Sequence, residues 1–454
     1  KLSLEDDIRK YLPKLYNKVN DKIKIRHLLN HTSGIRDYVE LLDLEGDVWW
    51  KRFGLDNEDI LELIENQEDL GFKPGSHYSY SNTNYILLTK IIEKVSEKTF
   101  NVYSKKFFEN LGMKETSFLE GYMKVIPNRA NPYSDWGRGE WWEVPTVTKT
   151  NGEGFLFTSL KDQLIFEKAV QNAKYNNNVL LIKSQQPIPN SEIKTYGFGL
   201  ELEDKLGRKA VHHSGGTYGL HSQTYRFPKN KLTIFTMSNN GNISTNLIAQ
   251  EIAKILLPKS KNKIKYDSKF YENSDSNDVL VLGKYTYPLE NKIVEIIYNE
   301  GKTFWKEKNF TVAMVSEDKN VYSFTNNQNL KVRFYRDKMV EYYPSGKMMT
   351  YSKVNDEFLS KSDLGNLLGN YYNKELKVGF DLKLSEKNKL QFKLSSNKGF
   401  NDVVFYNRKY GIANNFFLKV ERDLFDRVIE IKITYDRAHN IRFRKKTNLK
   451  QLPL

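Results

Sequence analysis

The chain has 454 residues, 28% charged and 39% hydrophobic, with a formal net charge of +15 and no cysteine. That length suits two to four domains with apolar residues enough for their cores. The lack of cysteine excludes disulfides, a thiol nucleophile and thiolate metal ligation, and no apolar run reaches the roughly 20 residues of a membrane span.

The N-terminal Lys1-Leu2-Ser3-Leu4-Glu5-Asp6-Asp7 lacks the apolar region of a signal peptide. Tyr11-Leu12-Pro13 closes a first helical turn. Within Ile23–Ile35 a short helix is expected, with Gly34 as its C-terminal stop. His27 and His31 in this stretch read as structural, making local hydrogen bonds. Residues 58–67 are amphipathic. Phe72-Lys73-Pro74-Gly75-Ser76 is a turn, and Tyr78-Ser79-Tyr80-Ser81-Asn82 continues as extended chain. Asn82 or Thr83 then caps a helix over Tyr85–Lys98, whose apolar stripe is Ile86, Leu87, Ile91, Ile92 and Val95. A further helix over 100–110 ends at Leu111-Gly112-Met113. Residues 132–147 form a loop bearing Tyr133, Trp136, Trp141 and Trp142, which either lines a pocket or packs on a flank. Thr158-Ser159-Leu160-Lys161-Asp162 opens another helix, strands run from Tyr196 to Met237, and a last helix covers 244–257.

A polar stretch at 258–278 reads as a linker. Beyond it short β-like runs alternate with turn residues, and the pattern repeats. Leu282-Gly283-Lys284-Tyr285 returns as Leu368-Gly369-Asn370-Tyr371, and the run at 332–337 returns at 418–423. The shared offset predicts two tandem all-β modules, 279–355 and 363–450. The basic excess is spread out, densest at Arg442-Phe443-Arg444-Lys445-Lys446, which suits a basic surface better than a nucleic-acid interface.

The chemistry concentrates in His212-His213-Ser214-Gly215-Gly216-Thr217-Tyr218-Gly219. This reads as an edge strand leading into two more. Glycines there admit a second backbone, so a carbonyl substrate lying along the edge takes main-chain hydrogen bonds beside His213 and Ser214. The same residues also read as a plain Gly-rich hairpin with a surface histidine. No His or carboxylate group shows metal-ligand spacing.

Taken in order, several motifs resemble those of the penicillin-recognising serine hydrolases: class C β-lactamases, D-Ala-D-Ala carboxypeptidases, and their esterase and D-aminopeptidase relatives. They are Tyr11-Leu12-Pro13, Ile25–Ile35, Pro74-Gly75 with Tyr80-Ser81-Asn82, Leu111-Gly112-Met113 with Thr116, Arg129-Ala130, Thr158-Ser159 with Asp162, Tyr196-Gly197-Phe198-Gly199, and His213-Ser214-Gly215. The resemblance covers about residues 1–257. It implies an α+β domain, an antiparallel sheet flanked by helices, followed by two lipocalin-like antiparallel barrels. It also implies cofactor-free acyl transfer on an amide or ester of a small molecule or peptide, peptidoglycan-derived peptides among them, at the periplasm or cell surface. Tyr80 is the implied general base or relay, and His213 supplies positive or hydrogen-bonding character where relatives carry lysine. Asn82, Ser214, Gly215 and Thr217 are the implied substrate contacts, Thr217 or a neighbour offering a backbone N–H to an oxyanion.

The family nucleophile opens a buried helix as Ser-x-x-Lys, and this sequence departs from that pattern. Its four matches, at Ser191–Lys194, Ser260–Lys263, Ser316–Lys319 and Ser395–Lys398, neither open an apolar helix nor precede His31-Thr32-Ser33-Gly34. The expectation is therefore a truncated hydrolase whose nucleophile lies upstream of Lys1. The competing expectation is a non-catalytic binding protein that uses the same cleft.

Overall fold

The computed structural model describes residues 2–258 and 282–446, except 122, 192, 218, 288–291, 308–309, 319, 344–347, 355–358 and 398. The linker expected at 258–278 lies, after Pro258, outside the described residues, as does Tyr218. The helices in chain order are α1 (Ile25–Leu29), α2 (Tyr38–Glu45), α3 (Asn57–Glu65), α4 (Asn82–Ser96), α5 (Phe100–Leu111), α6 (Leu160–Gln171), α7 (Val179–Ser184), α8 (Thr245–Leu256) and α9 (Lys361–Leu367). Before the barrels come the two-residue strands β1 (Ser117–Phe118), β2 (Tyr133–Ser134), β3 (Trp142–Glu143) and β4 (Leu156–Phe157). The longer strands β5 (Glu201–Lys205), β6 (Arg208–Thr217), β7 (Leu220–Phe227) and β8 (Leu232–Ser238) follow them. The chain divides into two compact units. The first comprises Lys1–Gly34, Trp49–Glu65 and Lys73–Lys265, and the second Ile35–Val48, Asn66–Phe72 and Tyr266–Leu454.

In the first unit the local signals act largely as the sequence implies. Thr99 caps α5 through a bond from the Val102 N–H, and the helix stops at Gly112, whose φ of 85° suits glycine. Ser159 caps α6 in the same way through the Asp162 N–H. Two boundaries differ. Helix α4 starts at Asn82 rather than being capped by it; Ser81 is the N-cap and its side chain makes no capping bond. Helix α1 stops at Asn30, short of Gly34. There the buried Asn30 side chain donates to Ser191 Oγ and accepts from Thr32 Oγ1, which draws the backbone out of the helix. Ile86, Leu87 and Ile91 of α4 are buried while Val95 is 41% exposed, so the apolar stripe ends a turn early. Each such core side chain contributes about 1.5–3 kcal/mol on burial.

β5, β6, β7 and β8 pair in sequence order as an antiparallel sheet. Side chains alternate between its faces. On one face Tyr225, Phe227, Ile234 and Ala210 meet Ala249 and Ala253 of α8, two small residues that let the helix lie close. On the other face Arg226 of β7 reaches Glu167 of α6 in a two-point buried pair at 2.6 and 2.7 Å. Helices thus cover both faces, as expected for the α+β reading. His212 lies across from Tyr225 on the α8 face, so the adjacent His213, opposite Thr224, points the other way.

The second unit contains two closed eight-stranded antiparallel barrels. One runs from Gly283–Tyr287 to Met348–Val354, the other from Gly369–Asn373 to Ala438–Lys445. The sequence repeat opens both: Gly283 and Gly369 have φ of 127° and 136°, and Tyr285 and Tyr371 are buried two residues later. Such small barrels are filled by their own side chains; in the first, Trp305, Phe334 and Tyr351 are among them. The segments 35–48 and 66–72 belong to this unit. Arg36, fully buried, donates to the carbonyls of His439, Asn440 and Asp69. Arg437 meets Glu40 at 2.7 Å and Asp37 at 3.2 Å.

Candidate active site

The candidate site is assembled from four separate stretches of the first unit. The loop after α1 brings His31, with a φ of 56° that a side chain other than glycine seldom adopts. The chain before α4 brings Tyr78 and Tyr80, and is tied to the first loop by Ser79 N–H to His31 O at 2.9 Å and Gly75 N–H to Thr32 O at 2.7 Å. Tyr196 precedes the tight turn closed by Gly197 N–H to Leu200 O. In that turn Gly199, φ 76°, must be glycine: a Cβ there would lie 2.7 Å from Tyr85 Oη. β6 brings His213.

His31 is wholly buried at the centre. Its ring lies 4.3 Å from Tyr80, 4.9 Å from Tyr196, 5.3 Å from Tyr85 and 6.1 Å from Tyr78, centroid to centroid. Tyr80 and His213, which are 133 positions apart in the sequence, have centroids 6.1 Å apart. Asn82 stands at the first turn of α4, two residues beyond Tyr80. The earlier reading of His27 as structural agrees with the geometry: its Nδ1 accepts the Lys24 N–H and so caps α1. His31 is likewise bonded, through Nδ1 to the Ser81 N–H and through Nε2 to Tyr196 Oη, and its ring also contacts Tyr80.

β6 changes character along its length. Residues 208–212 are paired on both sides, since β5 ends at the Glu201–His212 pair. From His213 to Thr217, among the described residues, only β7 pairs with it. The edge expected of the whole stretch therefore begins at His213. Ser214, Gly215 and Gly216 are exposed along it. Gly215 is glycine for cross-strand space, as a Cβ would lie 2.6 Å from Ser222 Oγ. Thr217 Oγ1 and Ser81 Oγ are shielded and make no hydrogen bond. In the turn of that hairpin, Gly219 packs on the Tyr133 backbone. There Tyr133, Trp141, Asn239 and Asn240 line a cavity of about 250 Å³.

Burial pushes the hydroxyls of Tyr196 and Tyr85 well above the ordinary tyrosine range, so both remain proton donors. Burial also lowers His213 below the usual imidazole range, outweighing the raising effect of the Ser214 carbonyl. Of the two characters expected for His213, positive or hydrogen-bonding, this direction favours the hydrogen-bonding one. One group with ligand-type spacing does exist among the described residues, contrary to the sequence reading: Glu201, Glu203 and His212 have donor atoms within 4.8 Å of one another. Lys205 already pairs with Glu203 at 2.9 Å. Of the Ser-x-x-Lys matches, Ser191 is buried in a turn and bonded to Asn30. Lys263, Lys319, Lys398 and Ser260 lie outside the described residues.

The sequence reading gives His31 a structural role only and assigns none to Tyr196, although both sit in motifs it identifies. No local signal links them, since they meet across 165 positions of sequence.

Residues 1–254 match the beta-lactamase family. A penicillin-binding protein of Bacillus subtilis strain 168 is 29% identical over 258 residues, covering 52% of this chain and 55% of that protein. A D-aminopeptidase of Brucella canis is 26% identical over 244 residues, covering 52% and 46%. The solved octameric penicillin-binding protein homologue from Pyrococcus abyssi aligns over 77% of this chain and 83% of its own, at 22% identity and a TM-score of 0.49. The chain spans about half the length of the curated relatives it matches. With more than half of its residues matched in one continuous span, the chain belongs to the beta-lactamase family.

Proposed function

We propose that the full protein is a serine acyl-transfer hydrolase that cleaves an amide or ester of a small peptide or amino-acid derivative. The observation that carries this reading is the meeting of Tyr80 and His213 around His31, at the point where β6 becomes an open edge. A substrate laid along His213–Thr217 takes main-chain hydrogen bonds from that edge, with Ser214 and Asn82 beside it. Tyr80 receives the proton of the attacking hydroxyl and later returns one to the leaving group. His213 contributes a fixed neutral dipole. The relatives named for penicillin binding and D-amino-acid cleavage support D-configured peptides and β-lactams as the substrates to try first. Periplasmic or surface location and peptidoglycan-derived substrates form part of the same proposal. No helix among the described residues is long and apolar enough to cross a membrane.

The reading requires a serine nucleophile that we propose is supplied by a Ser-x-x-Lys turn upstream of Lys1. The test is to determine the coding sequence before Lys1, express the full product, and measure covalent labelling by a fluorescent penicillin and hydrolysis of D-amino-acid amides and esters. Tyr80→Phe in that product is expected to lower turnover by about 10²–10⁴-fold with the fold intact. Equal rates in the two proteins would refute the assignment of Tyr80. Ligand binding without labelling or turnover would favour the non-catalytic alternative.

A further inference from the structure

The hydrogen bonds around His31 have only one consistent direction. A backbone N–H can only donate, so Ser81 N–H, 3.1 Å from His31 Nδ1, makes that nitrogen an acceptor. An acceptor there requires Asn84 to present Nδ2, at 3.2 Å, which leaves its Oδ1 to accept from Ser33 Oγ at 2.7 Å. The proton of His31 is therefore on Nε2, and it faces Tyr196 Oη at 3.2 Å. Having accepted that bond, the Tyr196 hydroxyl gives its one proton to His213 Nε2 at 3.1 Å. A carbonyl oxygen can only accept, so His213 Nδ1, 2.6 Å from Ser214 O, carries the ring proton. The alternative, a proton on each nitrogen of His213, is disfavoured by the ring's partial burial, which lowers it below the usual imidazole range.

We infer that His31 and Tyr196 are positioning residues that hold His213 as a single neutral tautomer, its proton on Nδ1, through one directional chain from the Ser81 backbone to the Ser214 carbonyl. This rests on the functional reading above for its significance, not for its geometry. Both ring nitrogens of His213 are engaged within the protein, so His213 does not itself exchange a proton with substrate. Its ring instead fixes the Ser214 carbonyl at the start of the open edge, while proton transfer is left to Tyr80. The left-handed backbone of His31 is consistent with this role: strain of that kind persists where surrounding bonds over-determine it.

The experiment is long-range proton–nitrogen NMR on the 454-residue chain labelled with ¹⁵N-histidine. It needs neither nucleophile nor turnover, so an inactive protein leaves the result readable. Seven histidines give seven ring patterns, and His213 is assigned by the pattern lost in His213→Gln. The expected result is an Nδ1–H neutral pattern for His213 and an Nε2–H pattern for His31. In Tyr196→Phe, circular dichroism unchanged, His213 should shift to a mixture dominated by the Nε2–H form usual in solution. An Nε2–H or doubly protonated His213 in the parent at pH 7 would overturn the inference. So would an Nδ1–H pattern unaltered by Tyr196→Phe, since Ser214 O alone would then suffice. Should Tyr196→Phe not fold, the two parent patterns decide. In the full-length enzyme the same substitution should lower kcat more than it changes KM.

Discussion

Replacing Arg226 by methionine offers a quantitative check on how α6 is held to the sheet. The guanidinium bonds both oxygens of Glu167, at 2.6 and 2.7 Å, and the two side chains are only 9% and 5% exposed. Among the described residues Gln163 Nε2 is the one further donor to that carboxylate, at 2.7 Å. Arg226→Met leaves a buried charge with a single neutral donor, and breaking a buried pair from one side costs about 3–5 kcal/mol. For a unit of this size each kcal/mol moves the midpoint by about 2–4 °C, so a fall of about 6–20 °C is expected. Tryptophan fluorescence is the appropriate assay, because every tryptophan but Trp305 belongs to the first unit. The pair itself should have little net value, since Arg226 Nη1 is buried without a partner. Glu167→Met with Arg226→Met should therefore recover to within about 2 kcal/mol of the parent. A single-variant loss below about 1 kcal/mol, or a double variant no better than the single, would refute this account of the pair.

His27 provides a pH test. Burial lowers it from 6.5 to about 4 in the folded chain, so between those values the unfolded state binds a proton that the folded state excludes. Its contribution to stability is complete above pH 6.5 and is lost as pH falls toward 4. His27→Gln, which retains a capping acceptor at the same position, should lose less stability over that window in paired thermal melts; parallel curves would show that His27 does not titrate as described. The glycines differ in a measurable way. Gly112 has φ 85° with nothing near its missing Cβ, whereas Gly219 has φ 78° and a Cβ there would lie 2.7 Å from Tyr133 O. Gly112→Ala should cost about 1 kcal/mol, the left-handed penalty alone. Gly219→Ala should cost clearly more and alter the fluorescence of Trp141 beside the cavity, and equal costs would contradict the close approach.

Much of the architecture was readable from local pattern. The stripe of α4, the helix start at Ser159 and the stop at Gly112 are properties of a few adjacent residues, so they survive without knowledge of the rest. The two barrels were legible because a repeat records the same inward tyrosine twice, Tyr285 and Tyr371. The family resemblance similarly followed from the order of short motifs. Local rules failed where distant groups competed for the backbone. Asn30, bonded to Ser191, ends α1 before Gly34 can, and Ser81 gives its N–H to His31 rather than forming a capped turn of its own.

The site itself was only half legible. Local pattern was enough to name the residue types on offer, Tyr80 and His213 among them, and to put the histidine on one glycine-rich strand. The surroundings of His213 and the course of the strand edge come from long-range packing. Whether His213 is a cation or a neutral ring depends on its burial and on Tyr196 and Ser214 O at 3.1 and 2.6 Å. Whether β6 is interior or edge depends on where β5 runs out, at Glu201. Both are set by contacts between stretches far apart in the chain, and desolvation and strand pairing are properties of the packed chain that no local run of residues encodes.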